Sequence, residues 1–103
     1  MQRPTTVERV LSSLLESPGQ TDTSLRRAVF DRVRLRNGKV PENLLVLLGR
    51  IADQPWAVND EDISQALAAG YSEDQLFELI LAAATGAGVR RLDAGLRAME
   101  EAE

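Results

Sequence analysis

From Leu79 to Val89 a single polar side chain, Thr85, interrupts an otherwise apolar run inside a helical pattern. A helix that is apolar on every side must be covered on every side, and a chain of 103 residues has few elements with which to do it. The pattern around this run extends from Ser72 to about Ala102, which is about 45 Å at 1.5 Å per residue. A domain of about 100 residues has a radius of gyration of only about 13 Å. Such a helix therefore spans or overshoots the body, and a subunit interface along it is expected. Ala84, Gly86, Ala87 and Gly88 would let a second backbone come close there. Gly86 and Gly88 each cost about 1 kcal/mol relative to alanine in a helix interior, which a close approach or a kink would justify.

The rest of the chain is helical by the same reading. Thr5 and Glu8 have the spacing of a capping box, and Val7, Val10, Leu11, Leu14 and Leu15 recur at helical intervals. Ser17-Pro18-Gly19 ends this helix, and the polar stretch to Thr23 reads as a linker. A second helix is expected over Ser24–Arg36, burying Leu25, Ala28, Val29 and Val33, with Asn37-Gly38 as its stop. Pro41 suits the first turn of a third helix that carries Leu44, Leu45, Leu47, Leu48 and Ile51 and closes at Gln54-Pro55. Asn59 caps a fourth helix reaching Ala69, with Val58 and Ile63 as its hydrophobic staple and Gly70 as its stop. Ser72 with Gln75 makes a second capping box, stapled by Tyr71 and Leu76. No alternating strand pattern competes. The expected fold is all-α, one compact domain of about five helices with a long C-terminal helix. Residues 1–22 form its N-terminal helix and linker, and residues 24–103 its helical core.

Hydrophobic residues make up 44% of the chain, yet the aromatics are only Trp56, Tyr71, Phe30 and Phe77. The core must then be aliphatic. Between Ser24 and Val40, five arginines and Lys39 face Asp31 alone, a local balance of +5 within a chain of net charge −4. The acidic total argues against nucleic acid as a partner, and the basic run lacks aromatic interleaving and any recognition-helix motif. No apolar run approaches the roughly 18 residues of a membrane span. MQRPTTVERV lacks the apolar stretch of a signal peptide. A cytoplasmic protein without membrane contact is the default expectation.

There is no histidine and no cysteine. Disulfides, familiar zinc sites, serine–histidine triads and thiol peroxidase chemistry are excluded with them. No metal or cofactor is expected. This absence bears directly on a resemblance. The run PWAVNDEDISQALAAGYSEDQLFELILAAATGAGVRRLDAGL, Pro55–Leu96, resembles the carboxymuconolactone decarboxylase and alkyl hydroperoxidase D-like superfamily. Ala68-Ala69-Gly70-Tyr71-Ser72-Glu73-Asp74 is similar to that family's glycine turn and acidic cap, and Leu81–Thr85 to its alanine-rich helix. Registered on Gly70, the family's two cysteines fall at Pro55 and Val58, its histidine at Asp62, and its proton-relay glutamate near Asn43. Glu42 is adjacent to that last position but points about 100° away on a helix. The resemblance thus implies a redox-dead member of the family.

Four residues remain as candidates for chemistry. Asp62, in the cluster Asp60-Glu61-Asp62, either caps its helix or acts as a general base, and the second role requires a raised pKa. Glu42 is the other acid/base candidate. Trp56 is expected to fill core volume, with ligand stacking as the alternative. Arg90 is a ligand-binding candidate or, with Arg91, an interface group; Asp93 and Arg97 have the spacing of a helical ion pair. Three functions follow. A noncatalytic oligomeric scaffold, beside a catalytic relative or another protein, is preferred. The alternatives are an enzyme or binder for an anionic small molecule, using carboxylates and arginines, and a small regulatory protein using a positive stripe of Arg26, Arg32 and Arg36.

Overall fold

In a computed structural model of the protein, residues 5–102 are described. Met1–Pro4, Glu103 and the side chain of Val7, which the apolar pattern assigns to the first helix, lie outside the described residues. The chain forms five α-helices, α1 (Thr6–Glu16), α2 (Thr23–Leu35), α3 (Leu45–Asp53), α4 (Asp60–Ala68) and α5 (Glu73–Ala102). Two 3-10 turns, Glu42–Leu44 and Pro55–Ala57, flank α3, and no strand occurs among the described residues.

Local chemistry sets three of the helix starts. Thr5 Oγ1 accepts from the Glu8 amide at 3.1 Å while the Thr5 amide donates to the Glu8 carboxylate at 3.0 Å. Ser72 and Gln75 exchange the same pair of bonds at 3.1 and 2.9 Å. At α4 the reciprocal partner of Asn59 is Asp62, both bonds being 3.1 Å. Each exchange satisfies two amides that a helix start leaves without an intrahelical acceptor. Gly70, at φ +110°, supplies the left-handed turn between α4 and α5.

Two boundaries differ from expectation. Helix α2 spans Thr23–Leu35, and Arg36 rather than Asn37 takes the left-handed position after it, at φ 58°. The segment after Pro41 begins as a 3-10 turn, the Leu44 amide donating to Pro41 O at 3.0 Å. This tighter turn starts α3 where no side-chain cap is available and turns Leu44 fully into the core.

The core is one cluster, and α2 against α5 is its principal contact. Val29, Phe30 and Val33 pack on Leu79, Ala82, Ala83 and Ala87, with Leu47, Leu48, Ile51 and Ala52 of α3 alongside. The Arg34–Asp93 ion pair, 3.3 Å, joins the same two helices at the rim. A Cβ on Gly86 would lie 2.7 Å from Phe30 O and 3.3 Å from the Arg34 amide nitrogen. The close approach that Gly86 permits is therefore made to α2 of the same chain. Gly86 and Ala87, expected at a subunit interface, are buried within one chain, while Ala84 and Gly88 face outward.

Helix α5 runs without interruption through Gly86–Gly88 and lies along a body measuring 49 × 31 × 21 Å. Its apolar segment is covered on one side only.

Candidate functional site

Asp62 is 8% exposed and belongs to a closed set of bonds. One terminal nitrogen of Arg50 lies 2.6 Å from each of its carboxylate oxygens, and the Asn59 amide donates to it at 3.1 Å. The Arg50 hydrogen bond, opposed by desolvation and aided by Asn59, holds this carboxyl below the usual range. A general base at this position needs the opposite shift. Of the two readings of Asp62, the geometry supports the cap: the side chain caps α4 and ties it to α3.

Trp56 does not fill the core. It is 80% exposed, because the 3-10 turn Pro55–Ala57 lies on the outside of the bundle while Val58 and Ile63 pack inward beside it. Glu42 is exposed in its own turn, and its neighbour Asn43 accepts a hydrogen bond from the Tyr71 hydroxyl at 3.0 Å. Among the described residues no three His, Cys, Asp or Glu side chains are grouped to hold a metal ion.

The basic run divides into two uses. Arg26 is only 3% exposed and donates to Leu14 O at 2.8 Å and to Ser17 O, so it caps the end of α1; its Nε has no partner. A positive stripe of Arg26, Arg32 and Arg36 therefore does not form. Opposite it, the Glu78 carboxylate accepts from the amides of Gln20 and Thr21 at 2.7 and 2.8 Å and from the Thr21 hydroxyl at 2.5 Å. The Thr21 hydroxyl, then the Gln20 amide, hold Glu78 below its ordinary value of 4.5. The linker between α1 and α2 is thereby pinned to α5. Neither Arg26 nor Glu78 stands out in sequence.

The remaining arginines gather where α2 and α3 end. Arg90 donates to Val33 O at 3.0 Å and Ala52 O at 3.2 Å, and Arg91 donates to Ala52 O at 2.8 Å. Both last-turn carbonyl groups are thus satisfied by cations, the favourable sign at a helix C-terminus. Arg36 pairs with Asp53 at 2.8 Å, and Arg90 approaches the same carboxylate at 3.6 Å. Between α2, α3 and α5 these groups enclose a cleft of about 190 Å³, floored by Val33, Leu48, Gly49 and Ala52 and rimmed by Arg32, Arg36 and Arg90. The structure thus brings Arg90 into a cleft and leaves Asp62, Glu42 and Trp56 out of it.

The second feature is the outer side of α5. Phe77, Leu81, Ala84, Gly88, Leu92 and Met99 are all exposed and fall within an arc of about 80° at 100° per residue. Leu81 also borders an apolar groove of about 440 Å³ shared with Val10 and Leu14 of α1. Among the described residues no helix is long and apolar enough to cross a membrane. Compared with family models, curated proteins and solved structures, the chain matches none.

Proposed function

We propose that the protein is a noncatalytic helical scaffold of the cytoplasm that assembles with itself through the outer side of α5. The observation that carries this reading is the exposed row from Phe77, 66% exposed, to Met99, 68% exposed. A continuous apolar patch on a folded surface marks an interaction site. A second copy is the occupant that the charges favour. Exposed Arg91 stands at one end of the last three turns and Glu100 and Glu101 at the other, with Leu92 and Leu96 between. Antiparallel pairing sets bases against acids at both ends, whereas parallel pairing sets like against like. An antiparallel contact is also two-fold and closes on itself. Replacing Leu92 and Met99 by glutamate is expected to leave a folded monomer, read by light scattering and circular dichroism.

The same reading takes the resemblance to the carboxymuconolactone decarboxylase-like family as kinship without the family's redox chemistry. The chain lacks the cysteines and histidine that chemistry needs, and Asp62, at the histidine position, is held ionised by Arg50. A second reading, binding of an anionic small molecule, has one observation in its favour, the arginine-rimmed cleft.

A further inference from the structure

The geometry points to the cleft between α2, α3 and α5 as a binding site for a compact monocarboxylate with an apolar body, its carboxylate held by Arg32 and Arg36. This deepens the second reading and is independent of self-assembly.

Four observations converge on it. The first is charge. Arg32, Arg36 and Arg90 face a single acid, Asp53, which Arg36 engages at 2.8 Å and Arg90 at 3.6 Å. One carboxylate shared by two guanidinium groups leaves the cleft two charges positive. The second is free hydrogen-bonding capacity. A guanidinium carries five N–H donors. Arg32 uses one, toward Gly38 O at 3.2 Å, and Arg36 directs its bonds to Asp53 alone. Arg90 is spent on Val33 O and Ala52 O, so it braces the site rather than serving the ligand. Arg32 and Arg36 both line the cleft, one from the last turn of α2 and the other from the residue that follows it.

The third observation is Gly49. It lies in the interior of α3, where glycine is unfavourable, and a Cβ there would meet nothing within 4 Å. Packing therefore does not require the glycine. Its missing side chain leaves the cleft open. The fourth is Arg36 itself, the one non-glycine residue with positive φ among the described residues. A side chain in the left-handed region is uncommon at a helix end where asparagine and glycine follow directly. That conformation carries the guanidinium across to α3.

Size and lining choose the ligand class. About 190 Å³ is below the roughly 300–1,000 Å³ of sites for larger organic ligands. Leu45, 39% exposed on the wall of the cleft, offers the apolar surface that favours an apolar body over a bare inorganic anion.

The test is a titration of the full chain with benzoate at low salt, followed by amide NMR shifts at Gly49 and Arg36 and by calorimetry. Benzoate is expected to bind in the millimolar range or tighter, shifting those amides, while neutral benzamide and inorganic phosphate leave them unmoved. Arg32→Gln is expected to weaken benzoate at least tenfold. Gly49→Leu is expected to abolish binding while keeping the fold, since space is open for its side chain. No shift with benzoate, or a shift that survives both substitutions, overturns the site. Phosphate binding in place of benzoate overturns the ligand class while leaving an anion-binding reading standing; binding of neither removes both.

Discussion

Over its first half α5 presents Ala82, Ala83, Gly86 and Ala87 to α2 and buries all four. Over its last turns it carries Leu92, Leu96 and Met99, and these are 49%, 49% and 68% exposed. Small side chains dominate the side that meets α2, while the large side chains of the last turns are outside. Hydrophobicity alone does not account for that order, because Leu buries more area than Ala and contributes more when buried. What separates the two halves is the element opposite. Along the first half α2 lies so near that a glycine is required at position 86, and close packing of this kind needs small side chains. Along the second half no element among the described residues covers the leucines. The inner half is finished by intramolecular packing, and the outer half leaves its leucines exposed, the surface on which the proposed self-assembly rests.

The largest expected effect breaks the inner half. Gly86→Leu forces a side chain against Phe30 O and Val33 and is expected to cost about 3 kcal/mol or more, read as a lowered denaturation midpoint. Gly88→Leu, where nothing lies within 4 Å, is expected to hold or raise that midpoint, by up to about 1 kcal/mol, because leucine is the better helix former. Equal effects at the two glycines would erase the distinction between the two sides.

Next in size is the loss of the carboxylate that ties the α1–α2 linker to α5. Glu78 has a depressed pKa in the folded protein, so its contribution is complete above its unfolded value and disappears as pH falls through the folded one. Asp62 and Asp53 are shifted in the same direction, chiefly by hydrogen bonds from Arg50 and Arg36. Stability is therefore expected to fall with acid below about pH 4.5, the ordinary value for Glu78. Glu78→Gln should lower the thermal midpoint at neutral pH and flatten its decline in acid. An unchanged acid limb in the variant would show that Glu78 does not hold the linker.

Ser72→Ala is smaller. It removes the acceptor of the Gln75 amide at the start of α5 and is expected to cost about 1 kcal/mol, measured by urea denaturation. Smallest of all, Leu92→Ala and Leu96→Ala should move the folding midpoint of the dissociated chain by no more than about 0.5 kcal/mol. A large loss from either would place the outer leucines in the intramolecular core.

Features governed by near neighbours were legible in the sequence, and features governed by distant ones were not. Thr5, Asn59, Ser72 and Gly70 act on residues three or four positions away, and the five-helix all-α fold follows from such signals. Gly86 was legible as a point of close approach, but nothing local says whether the approaching backbone is α2 or another chain. Arg26, Arg90 and Arg91 cap helices 9 to 57 residues away along the chain, so composition shows them only as surface charge. Trp56 misled because its place between the two missing cysteine positions suggested a filled cavity, while the 3-10 turn Pro55–Ala57 directs it outward. The cleft was legible only in part. Arg90 was a candidate, but Arg32, Arg36 and Gly49 meet it only through the packing of α2 and α3 on α5.

Light scattering on a dilution series, for the wild type and for Leu92→Glu/Met99→Glu, tests the division of α5 most directly. The expected result is a wild-type oligomer at tens of micromolar that dissociates on dilution, and a double variant that is monomeric with an unchanged helical spectrum. A wild-type chain that is a well-folded monomer at tens of micromolar would contradict it, because the outer leucines would then have no partner of their own kind.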